Sequence, residues 1–234
     1  MEKSNQLFNQ EQQIIHRLLL NAPFIPSVGL LTGQVGIALA FYTYYRHTEC
    51  AVYGDFAGEL LDNALESLDK SIDIAFSNGL TGIGWGIEYL ILKGFVDGCG
   101  VEICENIDQK IMESDPRRIS DLSLEQGLEG LIHYVLIHIS ASIKQNVRLP
   151  FDSLYLKDLY TVVKQACQED IPDSFRSLAE IYMDFIEKQE PIDYPLHLFS
   201  FIDIVHLDTD KLTDYPLGIK DGLAGLLLKE ITNE

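Results

Sequence analysis

Basic residues are few in this chain, and that scarcity excludes whole classes of partner. Its 234 residues carry 17 Lys and Arg against 36 Asp and Glu, a formal charge of −19. Nucleic acids and anionic membranes select a positive surface, so neither is expected as a partner. Long apolar runs are also missing: none approaches the ~20 residues that span a bilayer. Residues 1–15 are polar and lack the basic-then-apolar pattern of a signal peptide. Cysteine is sparse, with Cys50, Cys99, Cys104 and Cys167 too scattered for a disulfide framework. Reduced thiols and a cytoplasmic setting are the expectation. No segment carries a nucleophile elbow or a phosphate-binding loop. Gly82-Ile-Gly-Trp-Gly is too tightly spaced, and lacks the preceding strand, to be a dinucleotide fingerprint. Apart from Phe199-Ser-Phe-Ile-Asp-Ile-Val, which a short helix explains equally well, nothing alternates like a β-strand.

What is present is a recurring phrase. Gly33-Gln-Val-Gly36 opens an unbroken apolar run, and so do Gly79-Leu-Thr-Gly82, Gly127-Leu-Glu-Gly130 and Gly222-Leu-Ala-Gly225. The first three lie 46 and 48 residues apart and the last a further 95 on, close to two periods. A degenerate copy falls midway, at Ser174-Phe-Arg-Ser177. A fixed period of this length marks repeated supersecondary units. The runs after each second glycine are apolar nearly all round, which predicts buried helices. Between them lie stretches with one polar face, such as Phe56 to Leu68. Each repeat therefore reads as one buried inner helix and one amphipathic outer helix. The chain is expected to be all-α and one domain over 1–234, with repeats near 29–78, 79–126, 127–173, 174–221 and 222–234. Helix pairs of this kind stack as a solenoid or close as an α/α toroid, a barrel of helical hairpins, about five of which are countable. Five hairpins either close a ring or leave an apolar face for a second copy, so a homodimer is the alternative to closure.

In order, the spacing predicts helices over 6–20, 33–47 and 54–75. Further ones follow over 82–93 (stopped by Gly94), 101–113, 126–144, 152–169 (capped by Asp152), 172–189 and 197–207. A final helix opens at Gly222. His133 and His138, five residues apart on one helix, point to different faces, and each reads first as a satisfied core histidine. His197 and His206 read as structural. Cys99 and Cys104 are the one close cysteine pair, with no histidine near them in sequence. They read as packed small apolar residues, with metal binding the sharper alternative.

The Gly-Leu-x-Gly repeat resembles the lanthionine synthetase C family, the cyclases of bacterial lanthipeptide biosynthesis. Leu80-Thr-Gly-Ile-Gly-Trp-Gly-Ile and Gly222-Leu-Ala-Gly-Leu-Leu are especially similar, and the likeness runs over nearly the whole chain, although a full cyclase is longer. The resemblance implies a double ring of inner and outer helices. In that family, two cysteines and a histidine just before the glycines hold a zinc that activates a substrate thiol. Here those positions are Leu31-Thr32, Ser77-Asn78, Glu125-Gln126 and Lys220-Asp221. None is Cys or His, so no zinc and no other cofactor is expected.

Three functional readings follow. The resemblance implies, first, a divergent member acting as a binding or accessory protein in bacterial peptide modification, its acidity suiting a basic peptide or a partner protein. The second is a carbohydrate-active α/α-barrel enzyme, hydrolase or epimerase, with Glu125 and Asp221 at the barrel mouth as acid and base, and His133 as a further candidate. The third is a zinc-dependent cyclase with ligands from elsewhere. Asn78, Gln126 and Trp85 are the candidate substrate-binding residues. Asn, Asp and Ser at these positions read first as ordinary N-caps, and Trp85 reads first as a core residue.

Overall fold

The computed structural model describes residues 2–68, 72–188, 191–196, 212 and 214–232, and every described element is helical. The helices are α1 (Glu2–Asn21), α2 (Gln34–Thr48), α3 (Ala51–Glu66), α4 (Leu80–Leu92), α5 (Gly100–Ile103), α6 (Glu105–Met112), α7 (Leu128–Lys144), α8 (Ser153–Ala166), α9 (Asp173–Lys188) and α10 (Leu223–Thr232). Two compact units are formed. One joins Met1–Ile72 to Leu198–Glu234, and the other is Asp73–His197.

The repeated glycines have one physical cause. Gly33, Gly79 and Gly127 sit in extended conformation just before α2, α4 and α7, and no side chain caps those helices. The chain caps itself instead. The first amide of each helix donates to the carbonyl seven residues earlier: Gln34 to Ser27 (3.0 Å), Leu80 to Asp73 (2.8 Å), Leu128 to Asp121 (2.9 Å) and Leu223 to Pro216 (2.9 Å). This lead-in loop satisfies amides that a helix start leaves without partners. It also packs against the glycines so closely that a Cβ has no room. At Gly36, Gly130 and Gly225 a Cβ would fall 1.9, 2.2 and 2.0 Å from the carbonyl oxygens of Leu30, Leu124 and Ile219. Asn78, Gln126 and Asp221 are therefore not N-caps. Asp221 is held in the left-handed region at φ 52° in the turn before Gly222.

Within each unit the copies pack in one register. In the 73–197 unit, α4 packs on α7, the Ser77 amide donates to Glu125 O (3.0 Å), and Phe76 lies against Gly130. In the other unit α10 packs on α2, the Lys220 amide donates to Leu31 O (2.9 Å), and Ile219 lies against Gly36. Position by position these are the same contacts. The Gly222 copy thus precedes the Gly33 copy as the Gly79 copy precedes the Gly127 copy.

Helix ends follow local chemistry. The chain leaves α4 through Gly94 at φ 66°, with Phe95 N–H donating to Leu90 O (2.9 Å). Leaving α7, it passes through Asn146 at φ 55°, with Val147 N–H donating to Ser142 O (3.0 Å). Both are left-handed closures that satisfy late carbonyls. Asp152 caps α8, its carboxylate accepting from Tyr155 N–H at 2.7 Å. Asp152→Ala is expected to cost ~1 kcal/mol, read as a shift in urea midpoint at unchanged slope. A change below a few tenths would show the cap to be idle.

Three elements differ from expectation, and one of them, the helix over 101–113, is broken at Cys104 into α5 and α6. The 54–75 helix ends at Glu66, shortened at its second half. The helix over the degenerate copy forms, but it is amphipathic rather than buried all round. Only Phe175, Leu178, Ala179 and Tyr182 are buried, on a single stripe against α7 and α8. No lead-in loop precedes it, because Ser174 and Ser177 cannot accept the close carbonyls that glycine can. The expected helix over 197–207, with His197, His206 and the alternating run from Phe199, lies outside the described residues.

Candidate functional site

The 73–197 unit holds the described polar side chains with the most developed hydrogen bonding, in three groups. The first is sealed. His138, on α7, has zero exposure and lies between two carboxylates. Its Nδ1 is 2.5 Å from Glu88 Oε1 of α4, and its Nε2 is 2.9 Å from Asp108 Oδ2 of α6. Tyr134, one helical turn before it, donates its hydroxyl to Asp108 Oδ1 at 2.6 Å and stacks on the imidazole. Carboxylates only accept, so a ring bonded to one at each nitrogen must donate twice, and His138 is an imidazolium. Burial alone would push its pKa down. The hydrogen bonds to Asp108 and Glu88 outweigh burial and hold it at about 9. Gly100 makes the site possible, since a Cβ there would stand 1.8 Å from Glu88 Oε1. Cys104 lies beside the group, fully buried, and burial drives its thiol well up, so it is no nucleophile. His138, Glu88, Tyr134 and Cys104 are fully buried and Asp108 nearly so. The cluster ties α4, α6 and α7 together.

The second group is also interior. Trp85 Nε1 donates to the Tyr194 hydroxyl at 2.7 Å, and the same oxygen lies 2.7 Å from His133 Nδ1. Burial lowers the His133 pKa to about 3, so the ring is neutral, and burial raises that of Tyr194. Trp85 and His133 were legible as candidates. Tyr194 was not, because it stands alone between prolines. His133 is bonded to Tyr194, and its ring lies against those of Phe76 and Tyr194.

The third group is at the surface, where the lead-in loops of α4 and α7 meet. Gln126 Nε2 donates to Ser77 Oγ (2.9 Å), and Ser77 Oγ donates to Asn78 Oδ1 (2.5 Å). Ser77 is buried, while Asn78 and Gln126 are exposed. The single serine proton fixes both amides. The Nδ2 donors of exposed Asn78 and the Oε1 acceptor of exposed Gln126 have no protein partner among the described residues. Glu125 is half-buried beside them, its carbonyl engaged by Phe76 and Ser77 N–H. Asp221 is exposed and belongs to the other unit. The structure does not bring Glu125 and Asp221 together within one unit.

The residues before the glycines do not suit zinc. They offer no thiolate and no imidazole, and Ser77 and Gln126 are committed to each other. Cys99 and Cys104 stand before α5 and α6 with Cys104 sealed. Among the described residues no three His, Cys, Asp or Glu side chains converge as ligands would, and no described helix is long and apolar enough to cross a membrane. No known protein-family model matches the chain, and no curated protein matches it.

Proposed function

We propose that this chain is a divergent relative of the lanthionine synthetase C family, folded as an α/α toroid, that binds a peptide in bacterial peptide modification without the cyclase's zinc chemistry. Support for the toroid comes from the last copy meeting the first, within one unit, in the same register as the second meets the third within the other. The binding role rests on one observation, the oriented amides of Asn78 and Gln126. They set an amide donor beside an amide acceptor, which matches the C=O and N–H that every peptide bond presents. Ser77, buried between them, holds both in place, so little side-chain freedom is lost on binding. The charge of −19 favours a basic peptide and speeds its encounter at low salt.

The test is a fluorescence-anisotropy titration with a labelled lysine-rich peptide and its glutamate-rich counterpart, at low and high salt. The lysine-rich peptide is expected to bind, more weakly as salt rises. Asn78→Ala with Gln126→Ala should weaken it about tenfold, as expected for two net hydrogen bonds. Indifference to both peptides would overturn the proposal. So would about one zinc per chain, removed by chelator, in protein purified without affinity metal.

A further inference from the structure

The face shared by α4 and α7 already carries a peptide-like segment of this same chain. Residues 191–196 form neither helix nor strand, and their burial alternates. Pro191, Asp193 and Pro195 are exposed, while Ile192 and Tyr194 are 7% and 5% exposed. A period of two means extended backbone, with every second side chain turned to the support. The bonds confirm where each anchor sits. Ser140 Oγ of α7 donates to Ile192 O at 3.4 Å, and Tyr194 Oη is held by Trp85 and His133. Ser140 comes later on α7 than His133, so the segment runs antiparallel to that helix, with Tyr194 nearer the end where Asn78 and Gln126 lie. Two alternate side chains are buried and one main-chain oxygen is bonded, the pattern by which proteins take up extended peptides.

We infer that the α4–α7 face is a recognition groove for an extended peptide of Ile-x-Tyr type, occupied in cis by residues 191–196. This rests on the peptide-binding reading above and adds to it a tyrosine subsite distinct from the Asn78–Gln126 pair. The tyrosine pocket is specific because Trp85 can only donate, and neutral His133 presents a ring nitrogen beside it. A phenol oxygen meets both demands; a phenylalanine would leave the buried indole N–H without its acceptor. Tethering gives the resident segment a high effective concentration, on the order of mM for a short connection, so a free peptide competes poorly until an anchor is removed.

Trp85 is the sole tryptophan, which makes its emission a local readout. The probe is the capped hexapeptide Pro-Ile-Asp-Tyr-Pro-Leu, titrated into the full chain. Wild type should not respond. Tyr194→Ala should emit at longer wavelength, and the peptide should return the spectrum saturably toward that of wild type. A Phe-for-Tyr peptide should bind about tenfold more weakly. Should Tyr194→Ala fail to fold, Tyr194→Phe keeps the ring volume, and the tyrosine peptide should then displace the resident segment with the same spectral return. Absence of a saturable return in whichever variant folds overturns the inference. If the lysine-rich peptide still binds wild type, that failure removes the cis-occupied groove alone. Loss of both removes the peptide-binding reading with it.

Discussion

His138→Leu is expected to cost about 3–5 kcal/mol, because it leaves the buried carboxylates of Glu88 and Asp108 without their shared cation. Against the roughly 5–15 kcal/mol that holds a typical domain together, such a loss unfolds a large fraction of molecules or all of them. The wild type should also carry a pH signature. The imidazole has its ordinary value of 6.5 when unfolded and about 9 when folded. A group raised by folding binds its proton more tightly in the native state. Its contribution is therefore complete below about pH 6.5 and disappears as pH climbs through about 9. The difference amounts to about 3 kcal/mol at 1.36 kcal/mol per pH unit. Burial pushes the adjoining Cys104 and Tyr134 well upward, so by the same rule each adds an alkaline loss of its own above its ordinary value of 9.0 or 10.0, which comparison with the variant subtracts. Tyr155 on α8, which feels Asp108, is raised as well. Urea unfolding near pH 6 and near pH 10, for wild type and for a variant with Glu88→Leu and His138→Leu together, isolates the effect. Equal alkaline loss in both proteins would show that His138 is not the proton involved.

Gly130→Ala should be nearly as damaging from one methyl group. Its Cβ would stand 2.2 Å from the Leu124 carbonyl oxygen and 2.5 Å from Phe76 Cβ. One obstacle is backbone and the other is the root of a packed aromatic, so neither can swing aside. The expected cost is at or above the ~1–3 kcal/mol of ordinary overpacking. Gly94→Ala is the control. Nothing lies within 4 Å of its added Cβ, and only its φ of 66° resists substitution, worth ~1–2 kcal/mol. Denaturant midpoints that place Gly130→Ala no lower than Gly94→Ala would refute the close-packing account of the repeated glycines.

The inner helices were readable from sequence because their signal is local and repeated. A glycine pair followed by a run with no polar face says buried helix wherever it occurs, and α2, α4, α7 and α10 begin within two residues of the expected positions. The lead-in loop was not readable, since it consists of carbonyls, and side chains as different as Ser27, Asp73, Asp121 and Pro216 supply them. The true period of α9 was present in Phe175, Leu178, Ala179 and Tyr182, at offsets of three, four and seven. Reading Ser174 and Ser177 as worn glycines concealed it. The ion cluster shows a different limit. Glu88 is conspicuous as the lone acid inside an apolar helix, and His138 inside another. Asp108 sits among the exposed acids Glu102, Glu105 and Glu113, and only the packing of three helices selects it. Tyr194 gave no signal at all, as its role arises from what it lies against.

The packing of α10 on α2 sets an order of events during synthesis. Residues 73–197 are contiguous and can acquire their contacts as they emerge from the ribosome, as sequential segments generally do. Residues 1–72 emerge earlier yet finish later, because the helix that covers α2 lies some 175 positions downstream. Until Leu223–Thr232 has been made, the glycine-lined flank of α2 is exposed, and the first part of the chain to be translated is the last to be sealed.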